Sequence, residues 1–335
     1  MKDTNFANFG ITFRGCGSYI PSQTLSNEAI SKIVDTSDEW IKTRTGINQR
    51  RIAGINENVS DMGFKAALEA IDMANWSSES IDLIILATST PDDLFGTAPK
   101  IQSKLNAKNA LAFDLTAACS GFLFALITAS QYLYSGAYKR AIVIGSDQLS
   151  SYVDWRDRGS CILFGDGAGA FAIEISNKKN NLYGFKFKTD GARGNFLNLS
   201  NKNELGNIVE EIDYCKGEFS NIKMNGQEVY KFAVREVPLI INDLLEETKY
   251  NSSDIDWLVL HQANQRILDS VGERIKIKNE KILSNLSKFG NTSAATIPLV
   301  FDEFVRNNKI KKNDLILTSG FGAGLSWGSA LFRWG

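Results

Sequence analysis

Ser78-Glu79-Ser80-Ile81-Asp82-Leu83-Ile84-Ile85-Leu86 closely matches Ser252-Ser253-Asp254-Ile255-Asp256-Trp257-Leu258-Val259-Leu260, with Ile81 falling on Ile255. A second pair follows in the same order. Lys139-Arg140-Ala141-Ile142-Val143-Ile144-Gly145-Ser146 aligns with Lys312-Asn313-Asp314-Leu315-Ile316-Leu317-Thr318-Ser319, with Ala141 falling on Asp314. Two blocks in one order at nearly one offset indicate two copies of a single unit, with a period far longer than that of solenoid repeats. Ser60 is placed to cap a helix through Asp61 to Asn75, and Gly226 precedes another from about Gln227 to Lys249. Each helix then meets an apolar strand, at 81 to 87 and at 255 to 260. Strands alternating with helices imply an α/β fold whose mostly parallel sheet is covered on both faces. The stretch from about 179 to 222, rich in Asn, Lys and Gly, reads as the join, which gives halves over 9–178 and 179–335.

Composition fits two core units or one large composite unit, since 335 residues exceed what one hydrophobic core usually serves. A formal charge of −1 gives no global electrostatic case for nucleic acid or an anionic membrane. Cys16, Cys119, Cys161 and Cys215 are widely spaced without a Cys-x-x-Cys, so no metal site or disulfide framework is expected and a reducing cytoplasm fits. The opening Met1-Lys2-Asp3-Thr4-Asn5-Phe6 lacks the apolar core of a signal peptide, and no apolar run reaches the roughly 18 residues of a membrane span.

Two glycine-rich runs, Gly165-Asp166-Gly167-Ala168-Gly169 and Gly320-Phe321-Gly322-Ala323-Gly324, read as turns leading into apolar β-like runs. A dinucleotide-binding glycine turn must instead open a helix at the pyrophosphate and keep the G-x-G-x-x-G spacing, so that class is disfavoured.

The only histidine, His261, ends the apolar run Trp257-Leu258-Val259-Leu260. Ligands in open α/β sheets gather at the carboxyl ends of such strands. Cys119 lies in Phe113-Asp114-Leu115-Thr116-Ala117-Ala118-Cys119-Ser120-Gly121-Phe122, where a strand gives way to small residues and then to a helical stretch from Phe122 to Tyr134. At a helix start the macrodipole favours the thiolate, which lowers the thiol pKa and makes a nucleophile. Phe289-Gly290-Asn291-Thr292-Ser293-Ala294-Ala295-Thr296 mirrors that segment in the second half, with Cys119 falling on Ala295 at nearly the same offset. A pseudo-twofold axis would bring the strand-to-helix junctions carrying Cys119, His261 and Asn291 together.

These motifs, with Asp38-Glu39-Trp40-Ile41-Lys42-Thr43-Arg44-Thr45-Gly46-Ile47 and Asp157-Arg158-Gly159, resemble β-ketoacyl-acyl-carrier-protein synthase III of the thiolase superfamily, from about Ile11 to Trp334. The resemblance implies a five-layer αβαβα fold of two βαβαβαββ-type halves, in a homodimer. It implies an acyltransferase of type II fatty acid synthesis that takes acyl-CoA, with acetyl-CoA the expected primer, and malonyl-acyl-carrier protein, with no cofactor because the coenzyme A thioester is a substrate. Carried over residue by residue, Cys119, His261 and Asn291 are catalytic, and the backbone N–H groups of Cys119 and Ala323 form the oxyanion hole. Ala323 stands where relatives can carry glycine, so an unusual φ there would be costly. Trp40, Arg158, Gly226 and Asn264 are the implied coenzyme A contacts. Arg266 and Lys231 would meet an acidic carrier protein, and Phe95 would enter the partner's acyl pocket.

Residue types separate the relatives. Chain-elongating synthases need a second histidine, and thiolases need a cysteine where this chain has Ala323. Chalcone-synthase-like enzymes share Cys-His-Asn but fit the Trp40 and Arg158 segments less well. Starter synthases of polyketide or specialised-lipid pathways stay open. A Cys-His-Asn hydrolase shares the residue order but lacks the papain-like Cys-Gly-Ser-Cys-Trp and offers no reason for a duplicated unit. A noncatalytic acyl-CoA-binding protein would have no need of the full set.

Overall fold

A computed structural model describes residues 9–335, so the reading of Met1 to Phe6 lies outside the described residues. The first sheet is built from β1 (Gly10–Tyr19), β2 (Leu83–Ala87), β3 (Leu111–Leu115), β4 (Arg140–Gln148) and β5 (Asp166–Ser176), in the order β1-β5-β4-β2-β3. The second is built from β6 (Leu182–Thr189), β7 (Trp257–Leu260), β8 (Ile282–Leu283), β9 (Leu315–Gly322) and β10 (Ser326–Arg333), in the order β6-β10-β9-β7-β8. The two orders are the same when equivalent strands are matched, as the duplicated sequence requires.

The aspartate of each quoted repeat has one structural task. Asp82 accepts the N–H groups of Lys139 and Arg140 at 2.8 and 3.1 Å, and Asp256 accepts that of Leu315 at 2.7 Å, each tying the entry of one strand to its parallel neighbour. The apolar run that follows is core, and all of β2 is buried.

In each sheet two of the four strand pairings are antiparallel, where a mostly parallel sheet was expected. The cause lies in the glycine-rich runs. Gly165 to Gly169 is no turn: residues from Asp166 onward are β5 itself. A Cβ on Gly169 would come within 2.8 Å of Leu299 N, so glycine there lets a central helix lie directly on the strand. The second run is strand through Gly322 and turns only at Ala323–Leu325, which returns the chain antiparallel into β10.

Helices complete five layers. α1 (Val59–Ala74) and α2 (Ala98–Lys104) cover the outer face of the first sheet, and α4 (Gly226–Thr248) and α5 (Gln265–Arg274) lie over the outer face of the second. Between the sheets lie α3 (Gly121–Tyr134) and α6 (Thr296–Arg306), and one central core joins Leu83 and Val143 of the first sheet to Val259 and Ile316 of the second. Asn58, not Ser60, caps α1: it accepts the Asp61 N–H at 2.9 Å, and Asp61 reaches back to the Asn58 N–H. Ser60 is turned inward, its hydroxyl donating to Asn58. Gly226 is the first residue of α4 rather than the residue before it, with Asn225 as cap. The stretch read as a join contains β6, so the second sheet begins inside it; β6 is an edge strand with only Leu182 buried, and its Lys residues hide it among polar neighbours.

Candidate active site

β3 ends at Leu115, a tight turn over Ala118–Ser120 follows, and α3 begins at Gly121, so Cys119 stands at a strand-to-helix junction. Ala118 there has φ 48°, and Ser293 at the matching junction of the second half has φ 53°. A left-handed conformation is unusual for residues with a Cβ, and its recurrence at both junctions shows that the two turns are built alike. Glycine is required opposite: a Cβ on Gly322 would lie 2.7 Å from the Cys119 amide nitrogen.

The expected low thiol pKa does not hold in this environment. Cys119 is only 6% exposed, and burial pushes its thiol up to about 12. The Ser293 hydroxyl and the residue's own N–H pull the other way, and Asp147 adds to the rise. Loss of solvation is the largest influence on the sulfur, which rests as a thiol at neutral pH.

His261 leaves β7 with its backbone N–H donated to Ser319 O at 2.9 Å. Its ring is 2% exposed, lies edge-on to Phe321 with centroids 5.3 Å apart, and its Nδ1 is 2.7 Å from the Thr296 hydroxyl. Burial lowers its pKa to about 3, so the imidazole is neutral across the physiological range. Asn291 Oδ1 accepts the Ser293 N–H at 2.9 Å, which fixes the amide and leaves Nδ2 as the free donor. Asp147, at the end of β4, is fully buried. It accepts from Thr88, Ser89, Thr90 and the Ala294 N–H, clamping the Asn291 turn to the first half. Burial nevertheless raises its pKa.

Cys119, His261 and Asn291 line one cavity of about 320 Å³, together with Trp40, Gly226 and Asn264. Arg158 is outside that lining but stacks its guanidinium over Trp40 at 5.0 Å and donates to Asp35 O at 2.9 Å. Asn264 is already engaged, since Oδ1 caps α5 through the Arg266 N–H and Nδ2 donates to Arg44 O at 3.1 Å. Arg266 lies over Tyr230 at 5.2 Å, and Lys231 is paired with Glu228 at 2.7 Å, both outside the cavity wall.

A second hollow of about 1280 Å³ is lined by Phe95, Phe124 and Ala323 and meets the first at Cys119, Phe164 and Leu197. Phe95 is fully exposed on its rim. The concern over Ala323 is relieved, because the positive φ of that turn, 129°, falls on Gly324. Asp147, Thr296, Phe321 and Tyr230 escaped the sequence reading as site residues. Phe321 and Thr296 stand inside the quoted motifs, but nothing in sequence tells a ring that packs on an imidazole from an ordinary core residue. Among the described residues no three His, Cys, Asp or Glu side chains gather as a metal site, and no helix is long and apolar enough to cross a membrane.

Two duplicated α/β halves, with a cysteine at one strand-to-helix junction and a histidine and an asparagine across the seam, define a thiolase-type condensing enzyme, an acyltransferase. Family models described as 3-oxoacyl-[acyl-carrier-protein] synthase III and its C-terminal part match residues 113–191 and 245–334. The β-ketoacyl-[acyl-carrier-protein] synthase III of Prochlorococcus marinus subsp. pastoris is 69% identical over 335 residues, all of both chains. The crystal structure of 3-oxoacyl-[acyl-carrier-protein] synthase III from Aquifex aeolicus is 42% identical with a TM-score of 0.90, over 97% of this chain and 100% of that one. A priming β-ketosynthase of a polyketide pathway is 32% identical with a TM-score of 0.88, over 97% and 96%. The chain belongs to the 3-oxoacyl-[acyl-carrier-protein] synthase III family.

Proposed function

We propose that the protein performs the initiating condensation of type II fatty acid synthesis, with Cys119, His261 and Asn291 as its catalytic residues. The observation that carries the reading is that these three side chains, from both halves, line one cavity together with Trp40. Acyl-CoA, with acetyl-CoA the expected primer, enters past Trp40 and Arg158, with Gly226 and Asn264 on the wall. The Cys119 sulfur attacks the thioester carbonyl, and the Cys119 and Ala323 N–H groups hold the oxyanion. The C–S bond to coenzyme A breaks, and the thiol proton leaves with the departing sulfur. Malonyl-acyl-carrier protein then binds, its carrier meeting Arg266 and Lys231 beside the entrance. Loss of CO2 leaves the bonding pair on an enolate whose oxygen takes hydrogen bonds from His261 and Asn291. The enolate carbon forms the new C–C bond to the acyl carbonyl, the Cys119 C–S bond breaks, and the thiolate recovers a proton.

No cofactor enters this sequence, since coenzyme A arrives as a substrate. The acyl chain extends from Cys119 into the second hollow, where Phe95 of a partner subunit would complete the wall of a homodimer. The halves are taken as 9–178 and 179–335, and the cytoplasm as the compartment. The likeness to a polyketide priming synthase supports a second reading, a starter enzyme of that kind with the same chemistry and a different primer.

Asn291 gives the cleanest test because an amide is no base. Asn291→Ala should acylate Cys119 from acetyl-CoA in a single turnover at near the parent rate, and lose CO2 release from malonyl-acyl-carrier protein by at least about a hundredfold. Loss of acylation with decarboxylation intact would overturn the assignment.

A further inference from the structure

Arg50 lies on the short strand Gln49–Ile52 and is completely buried. Its Nη1 donates to the Leu25 carbonyl at 3.3 Å and to Asn27 Oδ1 at 2.7 Å, and its Nη2 donates to the Ile162 carbonyl. The one titratable group acting on it among the described residues is the Cys161 thiol, so no carboxylate neutralises the guanidinium. Burial lowers its pKa only to about 10, which leaves it charged at neutral pH. Two glycines lie against its stem: a Cβ on Gly290 would come 3.2 Å from Arg50 Cβ, and one on Gly165 would come within 3.1 Å. Asn291, next to Gly290, is bonded to the same run on both sides of its backbone. Its N–H donates to Leu163 O at 2.9 Å, and its carbonyl accepts the Gly165 N–H at 3.0 Å.

We propose that Arg50 is a positioning residue for Asn291: its guanidinium fixes the Ile162 carbonyl, Ile162 leads into the run Leu163–Gly165, and the Asn291 backbone is bonded to that run. The inference rests on Asn291 serving the enolate. A buried cation without a counter-charge adds little net stability, so what its bonds supply is geometry. Arginine suits the task because its planar fork holds oxygens from three separate segments at once, where a lysine offers a single ammonium on a flexible stem. The fork is anchored on its other side, since Asn27 Nδ2 donates to Ile47 O at 2.8 Å and to Asp38 Oδ1 at 2.9 Å. Asn291 needs such a frame. Its side chain is fixed only by the bond from the Ser293 N–H to Oδ1, so the direction of Nδ2 follows the backbone. Asp147 clamps the turn after Asn291, through Ala294, and Arg50 acts on the flank before it.

Arg50→Met keeps much of the volume and removes the fork. It should lower the rate constant of CO2 release from malonyl-acyl-carrier protein about tenfold, the weight of one charge-assisted hydrogen bond. Single-turnover acylation of Cys119 should change less than about twofold on the same scale. A folding defect would instead lower the amplitude of both turnovers and leave their rate constants alone. Hydrogen exchange read by mass spectrometry should quicken about tenfold in the peptides spanning Leu163–Gly165 and Gly290–Asn291, and stay unchanged over Leu83–Ala87. Arg50→Lys, which keeps the charge and part of the bonding, should recover part of both the rate and the protection. An unchanged rate constant for CO2 release, an equal loss in both half-reactions, or unchanged exchange in both peptides overturns the proposal. Should Arg50→Met fail to fold, Arg50→Lys decides it: slower CO2 release with acylation retained supports the positioning role, and parent values throughout overturn it. If Asn291→Ala itself decarboxylates at the parent rate, the enolate role of Asn291 falls, and exchange in the two peptides alone judges whether Arg50 positions it.

Discussion

Lowering the pH from 7.5 to 5.5 should destabilise this protein through His261, and replacing that residue should remove the effect. The folded imidazole has its pKa lowered to about 3 by burial, against roughly 6.5 in the unfolded chain. Below that unfolded value the unfolded state binds a proton that the folded state refuses, so stability rises with pH and is lost as pH falls through about 6.5. The destabilisation follows from RT ln[(1 + 10^(pKa,U − pH))/(1 + 10^(pKa,N − pH))], under about 0.1 kcal/mol at pH 7.5 and about 1.4 kcal/mol at pH 5.5. Any folded pKa below about 4.5 gives nearly the same difference, about 1.4 kcal/mol, because the folded site is then unprotonated at both values. Asp147 and Asp166, whose pKa values burial raises, act in the opposite sense, losing stability as pH rises. The comparison is therefore made with His261→Gln, which carries the same aspartates. Urea unfolding of both proteins at one concentration should show the wild-type advantage shrinking by about 1.4 kcal/mol over the two pH units. A gap that stays constant, or a single-histidine NMR titration with a midpoint near 6.5 in the folded state, would refute a buried neutral ring.

Three further outcomes follow from the same site. With the Cys119 thiol pushed up to about 12, its alkylation by iodoacetamide, read by peptide mass spectrometry, should rise about tenfold per pH unit with no plateau below pH ~10; saturation near neutrality would show that the helix start wins after all. Trp40→Ala with Arg158→Ala should raise the coenzyme A dissociation constant about tenfold by calorimetry while the circular dichroism is unchanged, and an unaltered constant would remove both residues from the coenzyme A site. Gly322→Val should abolish acyl transfer to Cys119, because its Cβ lies 2.7 Å from the Cys119 nitrogen, and normal single-turnover acylation would show that this backbone yields.

The parts of the fold legible in sequence were those that repeat. Leu83–Ala87 and Trp257–Leu260 are apolar throughout because they are central strands buried on both faces, and that pattern leaves no ambiguity of type. Strand direction was not legible. Gly167 and Gly169 are strand residues chosen for the close approach of α6, and a glycine needed for space reads in sequence like one needed for a turn. Cys119 and His261 were found because each follows a strand; Asn291 was found through its likeness to the Cys119 segment, although it follows the short helix Leu286–Phe289 and not the strand expected there. The Cys119 environment was misjudged because the sequence shows that a helix follows but not how little solvent reaches the sulfur.

The seam between the halves explains why the remaining site residues stayed hidden. Asp147 belongs to the first half and holds the Ala294 N–H of the second at 3.2 Å; Ser293 lies against Cys119; Thr296 of the second half's central helix reaches His261. The first two contacts join the halves at junctions that became neighbours only when two copies packed face to face, whereas Thr296 and His261 meet within the second half, 35 residues apart. The same packing makes the left-handed Ala118 and Ser293 tolerable, since each strained turn is held against the other half rather than exposed. It also limits substitution. A change at Asp147 leaves four donors from two loops unpaired inside the seam, so Asp147→Ala should disorder the Asn291 turn and the Thr88 to Thr90 loop together. One buried carboxylate thus ties the Asn291 turn of the second half to the Thr88 to Thr90 loop of the first, beside Cys119.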